Sequence, residues 1–333
     1  MRVVITGASG FLGQRLARAL LQKRALAGRP VRRLVLADAV PQPDPATGSD
    51  PLTETVHGDV HDSLDDIFAR PVDVVFHLAA AVSAACEADF DLGMRVNVDT
   101  TRALLEAARQ QAAAGGPLVR LVFSSSLAVY SRPTDHSAPV SETTAPWPHS
   151  SYGIQKLICE HLISDYTRRG YLDGRVARLM TVAVRPGQPN AAASGFLSSI
   201  IREPLSGLPA TCPVQPDLTV ALASPATTIN GLLRIAEAEP GPEPGRLDTR
   251  LPVNLPALTV TVANMITTLR QLAGDAVAGL VTIAPDPAVE SIVGSWPAVF
   301  DNQRAAALGL RPDRDLRTLM HTYVTDHPDT VTD

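Results

Sequence analysis

The chain predicts an α/β fold in which a doubly wound parallel sheet is followed by a smaller lobe. Three observations carry that expectation. Short apolar runs rich in β-branched residues, Val3-Val4-Ile5, Leu34-Val35-Leu36 and Val74-Val75-Phe76, show no polar alternation, as strands buried on both faces of a parallel sheet require. Leu12, Leu16, Ala19 and Leu20 then recur at helical spacing, so a helix separates the first two strands. After about residue 180 the strand-helix alternation fades, and prolines between 204 and 216 and between 240 and 256 divide the rest of the chain into short helices.

The first strand, Val3 to Ile5, runs into Thr6-Gly7-Ala8-Ser9-Gly10-Phe11-Leu12-Gly13. A glycine triplet between a strand and a helix does specific work. Gly7 permits the tight turn, Gly10 lets backbone approach a pyrophosphate, Gly13 lets the helix pack closely, and the helix N-terminus faces the anion. Ser9, Phe11 and Leu12 belong to the same expected contact. The second strand, Arg33 to Ala37, ends at Asp38, whose carboxylate suits adenosine ribose hydroxyls and repels a 2′-phosphate; Arg32 and Arg33 precede the strand tip rather than follow it. The pattern therefore favours NAD over NADP in a Rossmann-like domain.

Residues 41–51 form a proline-rich loop, and Val56 to Val60 reads as a third strand whose Asp59 and Val60 would meet the adenine edge. A fourth strand spans Val72 to Ala81, with Leu78, Ala79 and Ala80 where a cofactor could pass; its His77 is expected to be satisfied by neighbours rather than catalytic. Asn97 opens the next helical pattern, either as a cap or as a polar brace, and is placed among the cofactor contacts. The strand Leu121 to Phe123 ends in Ser124-Ser125-Ser126 at the carboxyl edge, where such sheets bind ligands. A long irregular connection, 131–150, leads to a helix carrying Tyr152 and Lys156.

Four residues apart on a helix, that phenol and ammonium leave the same face. A tyrosine is a poor base because its pKa is about 10, and a cation about 5 Å away is worth roughly two pK units to the phenolate. Lys156 is one of only two lysines in a chain that otherwise uses arginine for positive charge.

With 333 residues and 45% hydrophobic content, the chain can bury a nucleotide-binding domain plus an appendage. Residues 1–179, with a returning segment at about 218–250, are expected to bind NAD; 180–217 and 251–333 are expected to bind substrate. A net charge of −5 without a basic block argues against nucleic acid and anionic membrane as partners. Cys86, Cys159 and Cys212 are scattered, as are the eight histidines, so no metal site is expected and a reducing, cytoplasmic setting is.

Taken together, Thr-Gly-x-x-Gly-x-x-Gly, an acid after the second strand, Gly58-Asp59-Val60, Leu78-Ala79-Ala80, Asn97-Val98-x-x-Thr101, the serine strand end and Tyr152-x-x-x-Lys156 resemble the extended short-chain dehydrogenase/reductase family. The resemblance implies that Tyr152 is the general acid/base, that Lys156 binds the ribose and lowers the tyrosine pKa, and that Ser126 orients the reacting hydroxyl. Thr181 and Val182 join the expected cofactor contacts. Further segments, among them Arg185 to Ser194 and Arg202-Glu203-Pro204-Leu205, resemble members that oxidise a four-carbon sugar acid at C2 with NAD. Such an acid needs a cation for its carboxylate, for which Arg185 and Arg202 are candidates, with Ser83, Ser125, Ser126 and Asn190 for hydroxyls. Met180, Gln188, Val220, Ala221 and Ala226 depart from that subfamily's usual residues, so a lining role for them would alter the substrate. A nucleotide-sugar epimerase, a uronate dehydrogenase and an inactive NAD-binding regulator remain alternatives. Many such proteins pair through helices flanking the sheet, which leaves a homodimer open.

Overall fold

The computed structural model describes residues 1–187, 192–243 and 245–328. Its main sheet has seven strands, β1 (Arg2–Thr6), β2 (Arg33–Asp38), β3 (Thr53–His57), β4 (Val74–His77), β5 (Arg120–Ser126), β6 (Asp173–Leu179) and β7 (Val253–Asn254). They stand in the order β3-β2-β1-β4-β5-β6-β7, and every pairing is parallel. The chain winds outward in both directions from β1, so the crevice for a ligand opens at the carboxyl ends of β1 and β4.

Each face of the sheet is covered by helices. Helix α1 (Phe11–Lys23) buries Leu16 and Leu20 against Val3, Ile5 and Leu34, beside Ile229, Leu232 and Ile235 from Pro225–Glu237. On the other face, α2 (Thr100–Ala113) and α3 (Ser151–Arg168) bury Leu104, Leu105, Cys159 and Ile163 against Val4, Val35 and Val75. Helix Pro225–Glu237, hereafter α4, begins with proline in its first turn; Ser224 caps it by accepting from the Thr227 N–H at 3.0 Å.

A smaller lobe sits over the carboxyl edge. Strands Leu258–Thr261, Thr219–Ala223 and Thr181–Val182 form a second sheet, covered by helices Phe196–Leu205, Val262–Ala278 and Leu316–Asp326. Its core reaches Leu127, Ala128 and Met180, which lie just past the ends of β5 and β6. That shared packing fixes the lobe above the crevice.

Three boundaries differ from expectation. The third strand stops at His57, leaving Asp59 and Val60 beyond it. Thr219–Ala223, expected in the returning segment, pairs inside the small sheet, whereas Val253–Asn254, expected in the smaller lobe, completes the large one. Two-residue strands are too short to carry a periodic signal. Asn97 also does not open a helix; it lies within a π-helical turn, Met94–Asp99, that runs directly into α2.

Candidate active site

A cavity of about 310 Å³ occupies the crevice and brings the glycine turn, the serine strand end, Tyr152, Lys156 and Arg185 into one lining. The turn is built so tightly that only glycine fits. A Cβ on Gly7 would stand 2.6 Å from the Ala79 nitrogen, and one on Gly13 would stand 2.2 Å from the Gly7 carbonyl oxygen. Beside it, Asp38 at the tip of β2 accepts from the Ser9 N–H at 2.9 Å and the Val40 N–H at 3.0 Å, so its carboxylate is held at the same edge. A bare turn, a helix N-terminus and a placed acid suit a dinucleotide's pyrophosphate and ribose. Leu78, Ala80, Thr181 and Val182 also line the cavity, as do Phe11 and Leu12.

The reacting end is assembled from α3 and the three serines. Ser150 caps α3 by accepting from the Gly153 N–H at 3.1 Å, and Gly153 packs so closely that a Cβ there would lie 2.2 Å from the Ala128 carbonyl oxygen. The helix start is thereby pressed onto the turn after Ser126. Ser126 Oγ accepts from the Ala128 N–H at 3.1 Å, which leaves its own proton to donate to the Tyr152 phenol. One turn on, the Lys156 ammonium donates to the Ser124 carbonyl at 2.9 Å and lies 5.6 Å from the centre of the Tyr152 ring.

Electrostatics at this pair differ from the expectation of a phenol lowered by its lysine. Although Tyr152 as a residue is only partly buried, its hydroxyl lies deep in the cavity, where loss of water pushes its pKa up to about 12; the Ser126 hydrogen bond and the Arg185 charge pull the other way. Burial likewise brings Lys156 down to about 8, opposed by Cys159, Cys86 and Glu160. Desolvation in one apolar cavity is the largest influence on both heads.

His77 behaves as a strand residue. Thr101 donates its hydroxyl to the Asn97 carbonyl at 2.6 Å, so it must accept from His77 Nε2 at 3.0 Å, and His77 Nδ1 then accepts from Thr6 at 2.6 Å. Burial first, and Lys156 second, hold its pKa down at about 3. A histidine neutral in the fold but free to protonate when unfolded adds nothing above its unfolded value near 6.5 and costs stability below it. Between about pH 6 and pH 4 this group alone should remove roughly 1.4 kcal/mol per unit. Urea midpoints across that range should fall less steeply in a His77→Gln variant; parallel slopes would refute the assignment.

Several expected contacts lie elsewhere. Asn97 is buried as a brace, accepting from the Ala81 N–H at 2.9 Å and donating to Gln155 Oε1 at 2.8 Å, so it ties the loop after β4 to α3 and does not reach the cavity. Asp59 is exposed and accepts from the His61 N–H, Val60 is in the core, and Ser9 and Ala79 act through backbone beside the lining. Ser83 lines the cavity but accepts from the Ala193 N–H at 3.0 Å, and Ser125 donates its hydroxyl to Glu160. Arg202 turns away from the cavity, donating to the Arg185 carbonyl at 2.7 Å and pairing with Glu203. Of the departing positions, Met180 lines the cavity, Val220 and Ala221 are core, and Ala226 is on the outer side of α4. Gln188 and Asn190 lie outside the described residues.

The lining also includes Trp296, Leu127 and Ser194, which periodicity and motif spacing did not single out. Trp296 was legible only as one of two tryptophans. Among the described residues no group of three His, Cys, Asp or Glu side chains is placed to hold a metal ion, and no helix is long and apolar enough to cross a membrane.

Residues 3–221 match the NAD dependent epimerase/dehydratase family. The chain is 48% identical to a D-erythronate dehydrogenase of Cupriavidus necator over 336 residues, covering 98% of each chain, and 39% identical to a D-erythronate dehydrogenase of Haemophilus influenzae, covering 97% of this chain and 99% of that one. Among solved structures it superposes on a nucleoside-diphosphate-sugar epimerase from Agrobacterium tumefaciens with a TM-score of 0.90 at 35% identity, covering 99% of this chain and 95% of that one. The chain belongs to the NAD dependent epimerase/dehydratase family, within the extended short-chain dehydrogenases/reductases, and its cofactor is NAD.

Proposed function

We propose that this family member is an NAD-dependent oxidoreductase that oxidises a small sugar acid of the D-erythronate type at its C2 hydroxyl, giving the 2-oxo acid. One observation carries the reading: the Arg185 guanidinium shares the cavity with the Ser126–Tyr152 hydroxyl pair and acts electrostatically on the phenol. A cation beside the proton acceptor suits a carboxylate on the carbon next to the reacting carbinol, which describes a 2-hydroxy acid. Apart from Lys156, Arg185 is the one cation among the described lining residues, too little charge for the diphosphate of a nucleotide sugar. The near-full-length likeness to two D-erythronate dehydrogenases supports the same substrate class.

In this reading Gly7, Gly10 and Gly13 receive the pyrophosphate, Asp38 the adenosine ribose, and Lys156 the nicotinamide ribose. NAD⁺, when bound, supplies a positively charged ring that accepts the hydride leaving C2. Tyr152, as phenolate, takes the C2 hydroxyl proton. Ser126 holds that oxygen as it becomes a carbonyl, and Lys156 keeps positive charge beneath both. The high phenol pKa of the cofactor-free cavity implies that oxidation accelerates as pH rises from neutral.

The test is cofactor reduction across four- to six-carbon aldonates, uronates and UDP-sugars. Turnover with a 2-hydroxy aldonate is expected, and turnover confined to a UDP-sugar would replace this reading with the epimerase class. Arg185→Gln should raise KM for the acid roughly 10- to 100-fold, the worth of about 1.5–3 kcal/mol for a hydrogen bond to a charged group, with NAD affinity little changed.

A further inference from the structure

Helix α3 touches the serine strand end three times in three successive turns. Tyr152 faces Ser126 in the cavity lining, Lys156 takes the Ser124 carbonyl, and Glu160 accepts the hydroxyl of Ser125 between them. The first two contacts belong to the reaction; the third does not, yet it is the one with the strongest support. Glu160 is held by Arg178 of β6 through paired bonds of 2.9 and 2.6 Å, and both side chains are less than a tenth exposed. Arg178 also donates to the Tyr130 hydroxyl, whose one proton is shared between the Ser141 carbonyl and Asn254 Oδ1 of β7, each 3.0 Å away. Three strands and the loop before α3 are thus tied to one carboxylate on the helix.

A buried ion pair is weak evidence for stability, because desolvation offsets most of the attraction. A role in register explains its placement better. Ser125 is flanked in sequence by the two residues that the reaction uses, so a carboxylate that pins Ser125 fixes how far Ser126 stands from Tyr152 and Ser124 from Lys156.

We propose that Glu160, held by Arg178, is a positioning residue of the reaction: it sets the register of α3 against β5 and supplies the countercharge that keeps Lys156 an ammonium. The groups facing Lys156 are His77 on β4, Cys86, and Tyr152, Cys159 and Glu160 on its own helix, of which Glu160 is the carboxylate. His77 is neutral in the fold and both thiols are pushed up by burial, so Glu160 is the anion that opposes loss of the lysine proton. The inference rests on Tyr152 and Lys156 forming the proton-transfer pair.

The informative variant removes both charges together, since removing either alone leaves the other buried and unpaired. In Glu160→Gln/Arg178→Met the fold is expected to survive, with a thermal midpoint within a few degrees of the parent. Lys156 can be read without cofactor or substrate. With only two lysines, competitive acylation followed by mass spectrometry reports the pH at which Lys156 loses its proton, and Lys23 serves as the internal reference. That pH should move down in the double variant, and kcat should fall roughly tenfold or more through misalignment. An unchanged Lys156 titration with kcat within about twofold of the parent would overturn the proposal. Should the double variant not fold, Ser125→Ala keeps the ion pair and cuts only the tie to the strand. There a severalfold loss of kcat with an unshifted melting temperature is expected, and an unchanged kcat overturns the proposal. A parent that reduces no NAD with any sugar acid would sink the substrate reading instead, while leaving the acylation result standing.

Discussion

Replacing Tyr152 with phenylalanine should lower kcat for acid oxidation by about 10³-fold or more while leaving NAD affinity nearly unchanged. A positioned general base contributes roughly 10²–10⁴-fold, and here no other group can stand in. Ser126 is a neutral hydroxyl, too weak a base, with one lone pair already taken by the Ala128 N–H; Lys156 is occupied by the Ser124 carbonyl, and His77 is sealed between two threonines. The ring of Tyr152 would survive as phenylalanine, so cavity shape and the glycine cradle are conserved, and NAD titration followed by fluorescence should match the parent. A variant that retains more than about a tenth of the parent rate would remove the phenol from the chemistry.

Much of this site was legible because its parts obey short-range rules. Gly7, Gly10 and Gly13 announce themselves by sitting between an all-apolar strand and an amphipathic helix, and helical spacing alone places Tyr152 and Lys156 on one face. The same rule, carried one turn further, reaches Glu160, which lies four residues past Lys156; its partner could not be read, because Arg178 arrives from a different strand. Asn97 shows the limit from the other side. An asparagine near a helical pattern is ambiguous until the π-helical turn that turns its amide inward is seen. Arg185 and Arg202 looked equivalent as cations, yet one lines the cavity and the other supports its neighbour's backbone. The phenol's raised pKa is not legible in spacing for a physical reason: spacing reveals which charges are near, but desolvation depends on what packs around them, and part of that lining, Trp296, comes from far along the chain.

The second large effect separates two costs that usually travel together. Gly7 and Gly28 share a φ of +71°, so alanine at either position bears the same left-handed strain, about 1–2 kcal/mol. Around Gly28, in the short hairpin after α1, nothing lies within 4 Å of an added Cβ; at Gly7 the same atom would meet the Ala79 nitrogen at 2.6 Å and the Leu78 carbonyl carbon at 2.9 Å. Both are backbone and cannot swing aside. Gly7→Ala must therefore push β1 and the end of β4 apart at the point where the pyrophosphate is received. Gly28→Ala should lower the melting temperature by only a few degrees with NAD binding intact. Gly7→Ala should cost roughly 3 kcal/mol or more and weaken NAD binding at least about tenfold, because the turn that admits the anion is displaced. Parallel thermal melts and NAD titrations of the two variants decide it. Equal losses in both would mean that backbone strain, not close approach, is what glycine relieves at the turn, and the cradle would lose its claim to the cofactor.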